Sequence, residues 1–317
     1  MNIVFLDAAT LGDDLDLSIF DTVGTKTVYP LTSPDVVAER IRDANVVVVN
    51  KVNLNYANLY RARKLRLICI AATGYDNVDL SYAKTANIAV CNVKGYSTDS
   101  VAQLSVSLAL SLACHIKEYD EYCKSGKYTE SGIQNCLTPV VHELSGKIWG
   151  IYGYGNIGKK VGEIAKALGC YVIACKKHPI DGIDCVSLSE LFRLSDIISV
   201  HTPLNYDTHG SVNDEVLSNA KKSLILVNTA RGAVFNEEAV VKAVEEGRIS
   251  GLATDVYSTE PMTAESPYNR LKDFKNVIFT PHNAWGAYES RVRLMGEILE
   301  NIKAFYKGEI RNRVDLL

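Results

Sequence analysis

The sequence has few of the features that commit a chain to a membrane, a nucleic acid or a metal. Its 317 residues include no apolar run long enough to span a bilayer, and a formal net charge of −3 gives no electrostatic reason to bind a nucleic acid or an anionic membrane. No two of its eight cysteines have the CxxC spacing of zinc sites and redox motifs. We therefore expect no metal site and no disulfide framework, but reduced thiols in a cytoplasmic protein.

What the sequence does have is the composition of a globular protein. Hydrophobic residues make up 47% and charged residues 22%, and 317 residues suit two domains of ordinary size. The opening residues, MNIVFLDAAT, carry no basic region ahead of the apolar ones. This predicts a first strand and not a signal peptide.

The most informative stretch runs from Lys147 to Cys175, KIWGIYGYGNIGKKVGEIAKALGCYVIAC. An apolar run predicts a strand, the glycines of GYGNIG predict a turn, and a helical pattern then leads into a second strand. This order is typical of dinucleotide-binding units. In such units Gly153 would permit the tight turn, Gly155 would let backbone amides approach a pyrophosphate, and Gly158 would let the helix pack on the strand. A purely structural glycine turn is the alternative.

Strand and helix patterns alternate on both sides of this unit, which predicts an α/β protein with two doubly wound parallel sheets. In residues 1–93 we predict that Ser33 caps a helix with Val36, Val37 and Ile41 on its apolar face, and that Asn55–Leu65 is a second helix. We predict strands at Ile3–Leu6, Lys26–Tyr29, Val46–Val49, Leu67–Ala72 and Ile88–Val93. Six strands are predicted after Lys147, the later four at Asp196–His201, Leu224–Thr229, Ser250–Val256 and Asn276–Thr280. Ser187 and Asn236 carry capping signals, and each predicts the start of a helix between two of these strands.

Three further segments bear on domain organisation. A helical pattern over Ser100–Tyr122 is either a buried spine or a subunit contact, and the irregular segment 124–144 could be an arm that packs on a partner subunit. The last helix, Tyr288–Tyr306, follows a finished sheet, so we expect it to return to the first domain. We predict a Rossmann dinucleotide-binding domain at residues 97–284, inserted in a discontinuous flavodoxin-like substrate domain formed by residues 1–96 and 285–317.

Three strands of the second domain end next to polar residues that could do chemistry. These residues are Arg231 in NTARG, Glu260 in DVYSTEP and His282 in TPHNAW. Taken singly, each has an ordinary explanation: a surface arginine, a solvated loop acid and a structural histidine. Because the carboxyl ends of parallel strands converge on one crevice with the glycine turn, we interpret the three as one site.

Hydride transfer between a nicotinamide and a carbon that bears oxygen would give these residues a common chemistry. His282 would be the general acid and base, and Glu260, bonded to the other ring nitrogen, would orient it. Arg231 would bind a substrate carboxylate and polarise the neighbouring carbonyl. His201 lacks such a partner in the local sequence, so we expect it at most to line the cofactor cleft.

The motifs GYGNIG, VHTPLNYDTHG, NTARG, DVYSTEP and TPHNAW, in this order, resemble the D-isomer-specific 2-hydroxyacid dehydrogenase family. AATGYDNVDL and GYSTDSVAQ extend the resemblance over essentially the whole chain. GYSTDSVAQ and the tryptophan after PHNA are most similar to the glycerate dehydrogenase, or hydroxypyruvate reductase, branch. The resemblance implies a two-domain fold, usually homodimeric, and NAD(P)-dependent interconversion of short 2-oxo acids and (R)-2-hydroxy acids.

The resemblance also implies roles for single residues. The family's catalytic arginine, glutamate and histidine fall on Arg231, Glu260 and His282, and its carboxylate-binding loop falls on Thr73 and Gly74. Lys51 either adds positive charge near the substrate or is a solvated surface lysine. The implied cofactor-binding residues are Val101 behind the nicotinamide ring, Asp255 near its carboxamide, and Gly153, Gly155, Asn156, Ile157, Gly158, His201, Thr202, Pro203, Thr208, Thr229, Ala230 and Gly286.

One departure from the family concerns the choice of cofactor. Members that prefer NAD end the second strand of the glycine-turn unit with an acid that binds the adenosine ribose. Here that place falls at or beside Lys176, followed by Lys177, and the next acid is Asp181. Two lysines would suit a 2′-phosphate, so we favour NADP(H) as the cofactor, with NAD as the alternative.

A second hypothesis is a dinucleotide-sensing scaffold without turnover, like the transcriptional corepressors that resemble these dehydrogenases. The presence of Arg231, Glu260 and His282 does not exclude it. The sequence shows no long disordered tail and no evident partner-binding extension, which favours the enzyme.

Overall fold

The structure, a computed structural model, describes residues 1–178 and 180–317. Contacts between Cα atoms divide the chain into two units, Met1–Ser97 with Gly286–Leu317, and Thr98–Trp285. Each unit is built around a parallel β-sheet. The chain leaves the first unit once and returns to it once, so that unit is discontinuous in sequence.

The sheet of the first unit has five strands in the described residues. They are β1 (Asn2–Phe5), β2 (Thr25–Val28), β3 (Val46–Val49), β4 (Leu67–Ile70) and β5 (Ala89–Cys91). Their order, β2-β1-β3-β4-β5, is the flavodoxin-like order that the sequence predicted. Every residue of β3 and β4 is buried, as the apolar sequences VVVV and LICI predict for strands covered on both faces.

Three α-helices lie near the N-terminus of the described chain; the first two are shorter than predicted, and the third was not predicted. They are α1 (Val37–Arg40), α2 (Tyr56–Leu59) and α3 (Leu80–Thr85). The prediction of one helix over Asn55–Leu65 is wrong, because past Leu59 the amides of Ala62 and Leu65 bond to carbonyls three residues back, and turns bury the same apolar positions. The predicted cap at Ser33 is also wrong, because its side chain bonds to the Asp35 carboxylate and Pro34–Val36 forms a 3₁₀ helix.

The second unit has a seven-stranded parallel sheet over the described residues. Its strands are β6 (Ile148–Tyr152), β7 (Tyr171–Cys175), β8 (Asp184–Cys185), β9 (Ile197–Val200), β10 (Ile225–Asn228), β11 (Gly251–Thr254) and β12 (Val277–Phe279). The order β8-β7-β6-β9-β10-β11-β12 is the Rossmann order with one added strand. The six predicted strands are confirmed. The two-residue strand β8 was missed because it is too short to form a periodic pattern.

The second unit has seven α-helices in the described residues. They are α4 (Thr98–Ala113), α5 (Ile116–Lys124), α6 (Lys127–Ser131), α7 (Asn156–Ala167), α8 (Leu188–Leu194), α9 (Asp214–Ser218) and α10 (Glu237–Glu245). On one face α4 and α7 pack with Trp149 and Ile151 of β6, whereas α8 and α10 pack on the other face with Leu226 of β10. The predicted caps at Ser187 and Asn236 are both present.

The predicted helix over Ser100–Tyr122 is two helices. Between α4 and α5 the chain bends by 60°, and His115 at the bend has a left-handed φ of +51°. The helix breaks because α4 is held by its buried apolar face, whereas none of the residues of α5 is buried. Within the described residues no single helix is both long and apolar enough to cross a membrane, and only this bent pair passes that test when its two helices are taken together.

The last helix, α11 (Tyr288–Tyr306), has the bounds predicted from the sequence. It lies in the first unit, where the buried side chain of Asn301 donates to the carbonyl oxygen of Asn92, next to β5. The C-terminal residues follow the same strand, since Asp315 accepts the backbone amide of Val90 at 2.9 Å. The C-terminal segment is therefore tied to the β5 edge of the first sheet.

Candidate active site

The glycines between β6 and α7 have different surroundings. Gly153 has a φ of +96°, and a Cβ atom there would lie 2.5 Å from the amide nitrogen of Thr202. A Cβ atom at Gly158 would lie 2.3 Å from the carbonyl oxygen of Gly153. Gly155 has a φ of −88°, and no atom lies within 4 Å of the position that a Cβ atom would take there. As the N-cap residue of α7, it makes no side-chain hydrogen bond to the helix. The turn and the helix packing thus require two of the glycines, and the third leaves open space at a helix N-terminus, which suits a pyrophosphate.

Arg231 follows β10 in a turn that Asn228 holds. The buried side chain of Asn228 donates to the carbonyl oxygen of Arg231 and accepts the amide of Ala230, both at 3.0 Å. The next residue, Gly232, packs on the segment after β11, because a Cβ atom there would lie 1.9 Å from the carbonyl carbon of Tyr257. The close approach of the two backbones places Arg231 beside that segment.

The side chains of Glu260 and His282, which follow β11 and β12, meet. Oε2 of Glu260 lies 2.5 Å from Nδ1 of His282, and Oε1 accepts the backbone amide of Tyr257 at 3.0 Å. Nε2 of His282 has no hydrogen-bond partner among the described residues. A carboxylate on one ring nitrogen orients the imidazole and leaves the other nitrogen for proton exchange with a ligand. The predicted contact between the two side chains is confirmed.

The buried carboxylate of Asp255 holds the turn that contains His282. The backbone of His282 has a φ of +52°, a left-handed conformation that is uncommon outside glycine. Its amide donates to the carbonyl oxygen of Asp255 at 2.8 Å. The Asp255 carboxylate accepts the hydroxyl of Thr280 and the amides of Asn283 and Ala284 at 2.6, 3.0 and 2.9 Å. These bonds satisfy a fully buried charge and fix the backbone on both sides of His282.

Tyr257 links the two segments that carry Glu260 and His282. Its hydroxyl donates to the carbonyl oxygen of Thr280 at 2.9 Å, and its amide is the donor to Glu260. Burial, followed by the charges of neighbouring carboxylates, raises the pKa of Tyr257 to about 12. The hydroxyl therefore stays protonated, and remains a donor, at neutral pH.

The segment after β9 carries the predicted cofactor residues His201, Thr202, Pro203 and Thr208. Both ring nitrogens of His201 are buried without a hydrogen-bond partner in the described part of the chain, and burial lowers the pKa of His201 to about 3. The imidazole is therefore uncharged at neutral pH. The buried hydroxyl of Thr208 donates to the carbonyl oxygen of Pro203 at 2.6 Å, which closes the loop.

Lys176 and Lys177 follow β7 and are exposed. Nζ of Lys177 lies 3.0 Å from Oδ2 of Asp207, in the loop after β9. Sequence reasoning considered only acids that follow β7, and Asp207 lies 30 residues further along the chain. The structure thus adds a carboxylate where the sequence indicated only positive charge.

The remaining predicted cofactor residues of this unit lie on α4, on α7 and after β10. Asn156 and Ile157 form the first turn of α7. Val101 is buried on α4, and Ser105, one turn later, places its hydroxyl oxygen 2.7 Å from that of Thr229. Ala230 follows directly, so α4 is tied to the turn that carries Arg231.

Lys51, Thr73 and Gly74 lie in the first unit, after the neighbouring parallel strands β3 and β4. The buried carboxylate of Asp7 accepts the amide of Lys51 at 2.5 Å and those of its two neighbours at 2.9 and 3.1 Å. Gly286, also predicted as a cofactor residue, is the first residue of the returning segment of this unit. The three substrate-binding candidates therefore share one edge of the first sheet.

Comparison with known proteins identifies the family. Residues 106–284 match the NAD-binding domain of the D-isomer-specific 2-hydroxyacid dehydrogenases, and this match covers more than half of the chain. The chain belongs to this family. A hydroxypyruvate reductase of Blautia hydrogenotrophica is 37% identical over 99% of the chain and 100% of the relative. A glycerate dehydrogenase of Methylorubrum extorquens is 34% identical over 99% of the chain and 98% of the relative.

Solved structures of dehydrogenases and a related reductase share the whole fold. A D-lactate dehydrogenase from Aquifex aeolicus, in complex with NAD and lactic acid, is 27% identical with a TM-score of 0.87, over 99% of both chains. An acyclic imino acid reductase in complex with NADPH and D-Arg is 28% identical with a TM-score of 0.87, over 99% of this chain and 100% of the other. As a D-2-hydroxyacid dehydrogenase, the protein is an oxidoreductase that acts on a CH–OH group with NAD or NADP as its cofactor.

Several contacts that shape this dehydrogenase's candidate site were not predicted from the sequence, and two of the residues that make them had no role in the sequence analysis. Tyr257 and Asp207 had none, and Asp255 had only its implied place near the carboxamide. The indole nitrogen of Trp285, which was used only to recognise the branch, donates to the carbonyl oxygen of His282 at 3.0 Å. Tyr257 and Trp285 each lie three residues from the residue that they contact, so a local signal existed for both. The contacts of Asp207 and Asp255 join segments that are 25 or more residues apart, and no local signal marks them.

Proposed function

We propose that this dehydrogenase reduces a short 2-oxo acid, of the size of hydroxypyruvate or glyoxylate, to the (R)-2-hydroxy acid. The observation that carries the proposal is the hydrogen bond of 2.5 Å between Glu260 and His282. Reduction of a carbonyl group requires a proton donor at its oxygen, and an imidazole oriented by a carboxylate is suited to that task. The names of the two relatives, hydroxypyruvate reductase and glycerate dehydrogenase, support the substrate class.

A bound nicotinamide would supply the hydride to the carbonyl carbon. His282 donates a proton from Nε2 to the carbonyl oxygen, while its Nδ1 remains bonded to Glu260. In the opposite direction the same nitrogen accepts the proton of the substrate hydroxyl. Arg231 binds the substrate carboxylate and draws electron density from the adjacent carbonyl, which favours attack at its carbon. Lys51 and the backbone amides of Thr73 and Gly74 are the further groups that we propose for substrate binding.

The second unit has the features that a dinucleotide requires. The open space at Gly155 adjoins the amides of the first turn of α7, which no side chain caps. We propose that this unit, Thr98–Trp285, is the dinucleotide-binding domain, and that the discontinuous first unit is the substrate domain. Val101 and Asp255 would contact the nicotinamide, as the family resemblance implies.

We propose NADP(H) as the preferred cofactor, with NAD(H) as the alternative. Lys176 and Lys177 follow β7, where an adenosine 2′-phosphate would be bound in this type of fold. Asp207 reduces the expected preference for NADP(H) over NAD(H), because its carboxylate pairs with Lys177 and would repel a phosphate. A small preference is therefore expected, and not an exclusive one.

We also propose that the enzyme is a homodimer in the cytoplasm. The arm, residues 124–144, exposes a set of large apolar side chains: Tyr128, Ile133, Leu137, Val140 and Val141. Several exposed large apolar side chains on one segment favour burial against another chain. All eight cysteines are free thiols, which supports a reducing compartment.

The first test is loss of nicotinamide absorbance with hydroxypyruvate, measured for wild type and His282→Ala. We expect the variant to lose at least about 10²-fold in kcat, because it lacks the proton donor, and to keep its affinity for the reduced cofactor. His209→Ala is the matched control, since His209 is an exposed histidine of the same unit. Turnover of His282→Ala close to that of wild type would remove His282 from its role. Tight cofactor binding by wild type without turnover of any 2-oxo acid would instead favour the sensing scaffold.

A further inference from the structure

The carbonyl oxygen of His282 accepts a hydrogen bond from a side chain. Nε1 of Trp285 donates to it at 3.0 Å, and the contact is partly buried. Trp285 is one of only two tryptophans in the chain, and the other, Trp149, is fully buried in the core of the second unit. Trp285 lies three residues after His282, so its indole ring folds back over the turn.

The backbone of His282 needs such a contact because of its conformation. A left-handed φ of +52° in a residue that is not glycine persists only where the surroundings hold it. The amide of His282 is held by a backbone carbonyl, that of Asp255, and the two amides that follow are held by the Asp255 carboxylate. The indole of Trp285 holds the carbonyl, the one remaining polar group of the His282 backbone.

The position of this backbone determines where the imidazole lies. Nδ1 of His282 is bonded to Glu260, which belongs to a different strand end, so a rotation of the His282 peptide would move the ring relative to its partner. Proton transfer is sensitive to such movements, since a misplacement of about 1 Å can cost about 10²-fold in rate. A side chain that restrains the His282 carbonyl therefore restrains the proton donor.

We propose that Trp285 is a positioning residue for the reaction, which holds the imidazole of His282 in place through the hydrogen bond from its indole nitrogen to the His282 carbonyl oxygen. This inference rests on the proposed role of His282 as proton donor. It assigns to Trp285 no contact with substrate or cofactor.

The test is Trp285→Phe, which keeps an aromatic ring and removes the N–H donor. We expect kcat with hydroxypyruvate to fall about tenfold, and the solvent deuterium isotope effect on kcat to rise, because proton transfer becomes slower than the other steps. The Kd for the reduced cofactor should stay within about twofold of wild type. A merely structural role would change the melting temperature without changing the isotope effect.

Trp149→Phe is the matched control. It removes the chain's other indole donor, which bonds to the hydroxyl of Ser199 at 3.0 Å in the same unit, and does not touch the His282 turn. We expect this variant to lose stability because it changes a fully buried side chain, but to keep the kcat and isotope effect of wild type. A loss of kcat in Trp149→Phe equal to that in Trp285→Phe would overturn the proposal.

A double variant separates this inference from the proposed function. If Trp285 acts through His282, adding Trp285→Phe to His282→Ala changes the residual turnover by less than about twofold. A full tenfold loss in that background would show that Trp285 acts elsewhere. Wild-type kcat in Trp285→Phe, combined with the expected loss in His282→Ala, would overturn the positioning role alone. Wild-type turnover in His282→Ala would overturn the proposed function itself.

Discussion

At the residue scale, Lys177 and Asp207 form the ion pair that bears on the choice between NADP and NAD. Both side chains are largely exposed, so the pair contributes little to stability, roughly 0–1 kcal/mol. Its effect on a ligand is of a different kind. A carboxylate at 3.0 Å from the lysine competes with a phosphate for the same cation and repels the phosphate charge.

Asp207→Asn is therefore expected to increase the preference for NADPH. Removal of the negative charge should raise the ratio of kcat/KM with NADPH to kcat/KM with NADH by about threefold, the size of effect that an exposed ion pair supports. The increase should shrink at high salt, because salt screens exposed charges. Steady-state kinetics with both cofactors at two ionic strengths measures both effects.

The control for this prediction is Asp214→Asn. Asp214 is as exposed as Asp207, at 62% for each side chain, and pairs with Arg248 at 3.0 Å in the same unit. The variant changes the net charge equally and leaves Lys177 untouched. An equal rise in the ratio in both variants would show a general charge effect and would contradict the role of Asp207.

At the scale of elements, the turn between β6 and α7 contains two glycines that the fold requires and one that we assign to cofactor binding. Gly153 and Gly158 have no room for a Cβ atom, because backbone atoms lie 2.5 and 2.3 Å from its position. Gly155 has room and an ordinary negative φ of −88°, so the fold does not require glycine there. Because the fold does not require glycine at position 155, we explain the glycine there by the close approach of a ligand.

Gly155→Ala is expected to weaken cofactor binding without lowering stability. The added methyl group would occupy the space that we assign to the pyrophosphate, and we expect the Kd for NADPH to rise by at least tenfold, about 1.4 kcal/mol. The melting temperature of the cofactor-free protein should stay unchanged. Binding titrations followed by nicotinamide fluorescence, together with thermal unfolding, check the two parts.

Gly158→Ala provides the comparison at the same turn. A Cβ atom there would also lie 2.9 Å from Cγ2 of Ile151, so the helix must move away from the strand and the free protein should melt at a lower temperature. Unchanged cofactor affinity in Gly155→Ala would show that no ligand approaches that position.

At the scale of the whole molecule, the arm is the part of the chain that an isolated subunit does not explain. Leu137 is 77% exposed, and the apolar neighbours on residues 124–144 are exposed with it. The helix α6 lies in this stretch, which we had expected to be irregular, and buries none of its own residues. A segment that exposes so many large apolar side chains is where we propose that a second copy packs.

If the proposed homodimer forms through the arm, Leu137→Asp is expected to convert it to monomers. The variant places a charge in the proposed interface, and because the side chain is exposed within one chain, it should not lower the stability of the isolated fold. Light scattering after size exclusion should give twice the chain mass for wild type and a single chain mass for the variant.

Ile310→Asp is the matched control for the arm. Ile310 is apolar, 78% exposed, and lies in the first unit, outside residues 124–144. Its variant carries the same added charge and should keep the mass of wild type. A monomeric wild type, or a dimeric Leu137→Asp variant, would show that the arm is not the interface.

Features that depend on neighbours along the chain could be predicted from the amino-acid sequence. The all-apolar runs of β3 and β4, the glycine turn before α7, the cap at Ser187 and the bounds of α11 each follow from local patterns of polarity, backbone freedom and capping. The convergence of Glu260 and His282 could also be predicted. The segments that carry the two residues follow neighbouring parallel strands, whose carboxyl ends must lie at one edge of a sheet.

The side chains that hold the site residues in place could be identified from the tertiary structure, and not from the sequence. Three contacts depend on loop conformations, which no periodic pattern encodes. They are the ion pair of Lys177 with Asp207, the hydrogen bonds of the His282 turn to Asp255, and the hydrogen bond from Trp285 to the His282 carbonyl. The break at His115 likewise arose because burial against the sheet ends at α4, although the helical pattern continues. Local polarity sets which segments become strands and helices, whereas packing between distant segments sets the positions of the atoms that carry the chemistry.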